Sequence, residues 1–210
     1  MITEHLEAID MLRRTRGATI ELVNNLTQTQ ADHVVAPGKW SVGQVIDHLL
    51  LAERLYRDSI ATLIELELSG KRPVISKSFA DIDTSIAYLP KSVLPFLDLP
   101  FTMLNMVVPP MVREAMATFR WLPAQNPKVA EPVAGKPIHE LRNALSASIQ
   151  ATAKLIKDNP SIDFRKLRYQ HPLLGDNNVP QLIRIVNFHE LRHQQQIRDI
   201  LKSRTFPQAA

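Results

Sequence analysis

The apolar residues Ile9, Leu12, Ile20, Val23 and Leu26 recur at the spacing of one helical face. They predict a first helix from Thr3 to about Leu26, weakened in its middle by Gly17. The segment PGKW breaks the pattern. Ser41 is then a natural N-cap for a second helix from Val42 to about Leu68, stopped by Ser69 and Gly70. Its inward stripe reads Val45, His48, Leu49, Ala52, Leu55, Tyr56 and Leu63. A third long helix is expected from near Pro137, through Leu141, Leu145, Ile149 and Leu155, to about Lys157, with Asn159 and Pro160 ending it. The last starts near Asn178 to Pro180 and reaches about Leu201, with Leu182, Ile185, His189, His193, Gln196, Ile197 and Ile200 facing inward.

Ten of the fifteen prolines lie between Pro73 and Pro137, a density that forbids long helices and permits short ones such as Met111 to Trp121. No segment shows sustained alternation of the kind a strand would give. The fold class is therefore all-α, a four-helix up-down bundle variant. Residues 1–210 form a single domain, and 73–137 is a proline-rich insertion between the second and third bundle helices. Met103, Met106, Met111 and Met116 cluster there with Phe96, Phe101 and Phe119, and such a surface is expected to pack over the bundle or against a partner subunit.

Composition narrows the chemistry. The chain has no cysteine, which excludes disulfides, thiolate zinc sites and a cysteine nucleophile, and leaves histidine and carboxylate as strong metal ligands. The N-terminus is charged and amphipathic, unlike a secretion signal, so a cytoplasmic protein is expected. No stretch approaches the roughly 20 apolar residues of a membrane span. The net charge of +4 is scattered, without a basic run or interleaved aromatics, and no nucleic-acid partner is expected.

Seven histidines remain to be placed. His189 and His193 stand four apart, about 40° from each other around one helix, and can reach one ion together. His48 lies on the inward stripe of another helix, so the three predict a divalent-metal site with coordination positions left open. The competing reading makes them core histidines hydrogen-bonded to backbone, Gln196 or Glu53. His5, His33 and His139 lie near helix ends or loops, where exposed histidines are common, and Trp40 reads as a core plug beside the second helix. His189-Glu190-Leu191-Arg192-His193 also satisfies H-E-x-x-H, in which the glutamate would be the general base of a zinc hydrolase. Against that, the seventeen residues after His193 hold neither histidine nor glutamate for a third ligand, and Glu190 is expected to face solvent. Glu53 is a candidate base with the same expectation, and no catalytic residue is assigned.

PGKWSVGQVIDHL resembles the motif that opens the second helix of the DinB-like superfamily, and HPLLG followed by NFHELRHQQQI resembles that superfamily's final loop and helix. The resemblance places the family's metal ligands on His48, His189 and His193, and a structural loop histidine on His171. It implies a four-helix bundle, often a homodimer, that binds nickel, zinc or a similar ion such as iron or manganese. It further implies a metal-dependent enzyme, with a thiol-dependent S-transferase acting on small molecules through a low-molecular-weight thiol as one form. The rival is a non-catalytic, metal-stabilised stress-associated or interaction protein.

Overall fold

The computed structural model describes residues 3–77, 130–171 and 175–208. The expected helix from Met111 to Trp121 and the Met/Phe cluster lie outside them. Three helices begin at a reciprocal cap, in which a short polar side chain accepts from the third helical N–H and the glutamine there accepts from the cap's own N–H. Thr27 with Gln30 starts α2 (Gln28–Asp32), Ser41 with Gln44 starts α3 (Val42–Leu68), and Asn178 with Gln181 starts α5 (Val179–Leu201). Helix α1 (Glu4–Val23) ends three residues short of the expected Leu26, and α4 (Ile138–Lys157) follows Pro137 as expected.

Among the described residues three short strands correct the expectation of none: β1 (Val74–Ser76), β2 (Arg168–His171) and β3 (Gly175–Asn178). β2 is central, parallel to β1 and antiparallel to β3, with Val74 opposite Arg168 and Arg168 opposite Asn178. Runs of three or four residues such as RYQH and GDNN are too short and too polar to show alternation. β1 falls within 73–137, so the start of the expected insertion is built into this sheet.

The core is split. One apolar cluster contains Ile9 and Leu12 of α1, Ile60 and Leu63 of α3, Ile149 and Ile156 of α4, and Leu182 and Ile185 of α5. The other contains Val23, then Val42 and Ile46, then Leu141 and Leu145, then Ile197 and Ile200. Between the clusters α1, α3 and α5 turn polar at one level, with Thr15, Arg16 and Thr19, then His48 and Glu53, then Asn187, Glu190, His193 and Gln194 all buried, and buried Thr152 of α4 joins them from among the first cluster through Glu53.

The order in which each helix meets the two clusters gives its direction. α1 and α5 run one way and α3 and α4 the other, so the bundle variant is up-down-down-up. α1 packs on α4 and α5, and α3 packs on the same two, which puts α1 and α3 across the diagonal. Because α3 and α4 are parallel, Leu68 and Ile138 lie toward opposite ends of the bundle. Among the described residues no helix is long and apolar enough to cross a membrane.

Candidate metal centre

Helix periodicity alone brings His48 and His189 to the edge of the buried stripes rather than to their centres. On α3 the buried arc centres near Leu49, Glu53 and Ile60, with His48 toward its margin and Leu55, expected inside, 39% exposed just beyond it. On α5 the arc centres near Glu190, with His189 at its margin and His193 well within it. α3 and α5 are neighbours, and these margins face each other. His48 Nε2 and His193 Nε2 each lie 3.1 Å from His189 Nε2, and the three ligand nitrogens all fall within 4.8 Å of one another.

The outer nitrogens decide the tautomers. His48 Nδ1 donates to the carbonyl of Ala130 at 2.8 Å, and His193 Nδ1 donates to Gln196 Oε1 at 2.8 Å. Both therefore carry their proton on Nδ1 and turn a bare Nε2 lone pair toward His189. A proton on His189 Nε2 can satisfy only one of these two lone pairs, whereas a cation at the common focus satisfies all three nitrogens. Ligands about 2.0–2.1 Å from an ion, at angles of about 90–110°, stand about 2.9–3.4 Å apart, and the two 3.1 Å separations fall in that range. The donor set fits a divalent ion. Burial holds His48 below its ordinary pKa, and burial together with the neighbouring His193, His48 and Arg192 holds His189 well below it, so these two are neutral at neutral pH.

Trp40 walls the site as well as packing on the second cluster. Its ring is 5.0 Å from that of His48 and lies 6.2 Å from His193 in a stacked arrangement. The sequence reading as a core plug therefore holds only in part.

The two carboxylates expected in solvent are instead in the core, each 1% exposed. Arg16 Nε and Nη2 donate to the two oxygens of Glu190, at 2.9 Å each, and Nη2 also reaches Glu53 at 2.8 Å. Nη1 donates to the Leu145 carbonyl at 2.7 Å, Ser148 and Thr152 donate to Glu53, and Thr19 donates to Glu190. Burial opposes the Arg16 charge, but the carboxylates of Glu190 and Glu53 outweigh it and hold the guanidinium above its ordinary pKa. The expectation failed because a charge suggests a solvent face, whereas Glu53 and Glu190 lie near the centres of the buried arcs and His48 and His189 at their margins. With Glu190 saturated by Arg16 and Thr19, the H-E-x-x-H arrangement has no free general base. Glu53 is excluded from that role on the same ground.

No other described histidine joins the cluster. His171 ends β2 with its ring 6.3 Å from Tyr169, His5 sits edge-on to Phe164, His33 meets Thr205 and Phe206, and His139 is exposed. The hydrogen bonds of the competing reading are present too, to Gln196 and to a backbone carbonyl. They use Nδ1 in both cases and so orient the Nε2 atoms rather than consuming them. Ala130, Asp47 and Arg16 went unnoticed in the sequence, since nothing local marks a residue whose partner is more than thirty positions away.

A family model described as DinB superfamily matches residues 11–197. No curated protein and no solved structure matches the chain.

Proposed function

The chain belongs to the DinB superfamily, and from that premise we propose that it is a metal-dependent enzyme acting on a small molecule, with a low-molecular-weight thiol as its nucleophile. The observation that carries this reading is the convergence of three Nε2 atoms with two of the rings locked from behind. His48, His189 and His193 would hold the ion, which when bound supplies Lewis acidity and lowers the pKa of a thiol or water. Three protein ligands leave positions for such a molecule. Trp40 shields one side from water, and Ala130 and Gln196 keep the imidazoles aimed. With no cysteine in the chain, a sulfur nucleophile has to come from solution.

One observation favours the non-catalytic reading. Glu53 and Glu190, the carboxylates that follow the ligands in sequence, are committed to Arg16 and supply no base. That reading predicts a metal that raises stability without turnover. The deciding assay is a panel of electrophiles and esters with metal-loaded protein, with and without added thiols, and with His48→Ala as control. Conjugation that needs both metal and thiol supports the transferase, turnover with metal alone supports a hydrolase, and inactivity across the panel supports the non-catalytic protein. Undiminished activity in His48→Ala removes the ion from the chemistry.

A further inference from the structure

Asp47 and His48 are consecutive on α3 and point about 100° apart around it, yet both are tied to the same short stretch, residues 130–136. His48 Nδ1 donates to the Ala130 carbonyl at 2.8 Å. Asp47 Oδ2 accepts the Val133 N–H at 2.9 Å, and its Oδ1 accepts from Lys136 Nζ at 2.7 Å. Helical periodicity would put Asp47 off the core stripe and in water, but it is 3% exposed because this stretch lies over it. We propose that Asp47 is a positioning residue of the metal centre, anchoring residues 130–136 so that the Ala130 carbonyl fixes the tautomer and rotation of His48. The inference rests on the metal reading above and extends it to a residue that touches no ligand atom.

The geometry separates this role from general loop stability. The stretch has little regular structure of its own: residues 131–137 carry no helix or strand, and α4 begins only at Ile138. Its far end is held independently by the Gln28 side chain, which donates to the Lys136 carbonyl at 3.1 Å and accepts from the Ile138 N–H at 2.8 Å. Closer to Ala130, Asp47 holds the backbone at Val133. Without it the carbonyl can withdraw, the imidazole can turn about its last torsion, and Nε2 no longer faces His189. Lys136 contributes less than Val133, because its side chain is 42% exposed and its charge is screened.

The test uses the full chain with Asp47→Ala, Asp47→Asn and Lys136→Met. In metal-free protein, the Nδ1–H of His48 should give a protected imidazole resonance in nitrogen-edited NMR, present in wild type and Lys136→Met and lost in Asp47→Ala. In cobalt titrations Asp47→Ala should bind about 10- to 100-fold more weakly, the range typical of lost support behind a ligand. Its ligand-field spectrum should be altered, Asp47→Asn should fall between it and wild type, and stoichiometry should stay at one ion. An Asp47→Ala protein that keeps both the resonance and wild-type cobalt affinity overturns the proposal, as does a folded Asp47→Asn with no change in either when Asp47→Ala does not fold. Wild-type protein that takes up no cobalt refutes the metal reading, while the imidazole resonance still decides whether Asp47 positions the ring.

Discussion

Replacing Arg16 by methionine tests the polar level of the core most directly. The substitution keeps an unbranched apolar stem and removes a guanidinium that makes four hydrogen bonds: two to Glu190, one to Glu53 and one to the Leu145 carbonyl. Glu53 would keep the Ser148 and Thr152 hydroxyls, and Glu190 only that of Thr19. Two buried carboxylates then lack a counter-charge. Breaking a buried ion pair from one side costs about 3–5 kcal/mol. In a domain of this size each kcal/mol shifts the melting temperature by about 2–4 °C, so a drop of about 6–20 °C is expected. The assay is chemical and thermal denaturation of metal-free protein followed by circular dichroism. A companion triple variant, Arg16→Met with Glu53→Gln and Glu190→Gln, removes the stranded charges and should recover more than half of the loss. Arg16→Lys should lie between, since an ammonium cannot span both carboxylates in one plane. A loss below about 1 kcal/mol in Arg16→Met, or a triple variant no more stable than it, refutes the assignment of the energy to charge pairing.

His189→Ala should abolish binding of a divalent ion, because its Nε2 lies 3.1 Å from both other donors, and His48→Ala and His193→Ala should weaken it severely; elemental analysis and calorimetry read this directly. Burial lowers the pKa of His171 to about 4, against about 6.5 in the unfolded chain. The unfolded state therefore takes up the proton first, so stability should fall as pH drops from about 6.5 toward 4, and His171→Asn should flatten that slope in pH-dependent urea unfolding. Nickel or copper(II), which quench indole emission on contact, should dim the fluorescence of Trp40 at its 5.0 Å ring distance from His48, and Trp40→Phe should remove that response while zinc leaves it small. The homodimer expected from the family resemblance is checked by sedimentation equilibrium, with a single-chain mass counting against it.

The long helices were legible because each carries both a periodic apolar stripe and a punctuated end. Ser41 and Gly70 bracket α3, and Pro137 and Asn159 bracket α4, and the structure places those elements within a residue or two. Helix α2 was missed, since five residues show no period, although Thr27 and Gln30 spell its cap. That His189 and His193 share one side of a helix was legible from spacing, because an i, i+4 histidine pair has a fixed angular separation whatever surrounds it. What lies beside the ligands was not. Glu53 and Glu190 look like solvent charges until Arg16, 37 and 174 positions away, is known to sit between them. Nor could Ala130 be found, because it acts through a backbone carbonyl that any residue type would offer.

The polar level between the two apolar clusters also settles how far each helix can slide. Leucine and isoleucine stripes tolerate being shifted by one turn, about 5.4 Å, since a similar apolar neighbour arrives in place of the old one. Arg16 on α1, Glu53 on α3 and Glu190 on α5 tolerate no such shift, because displacing any of these three helices by a turn parts the guanidinium from a carboxylate and carries a buried charge toward an apolar cluster. A bundle with two parallel pairs of helices offers many packings of nearly equal apolar quality, and this single buried triad makes all but one of them costly. The register that puts His48 opposite His189 and His193 is thus chosen before any ion arrives.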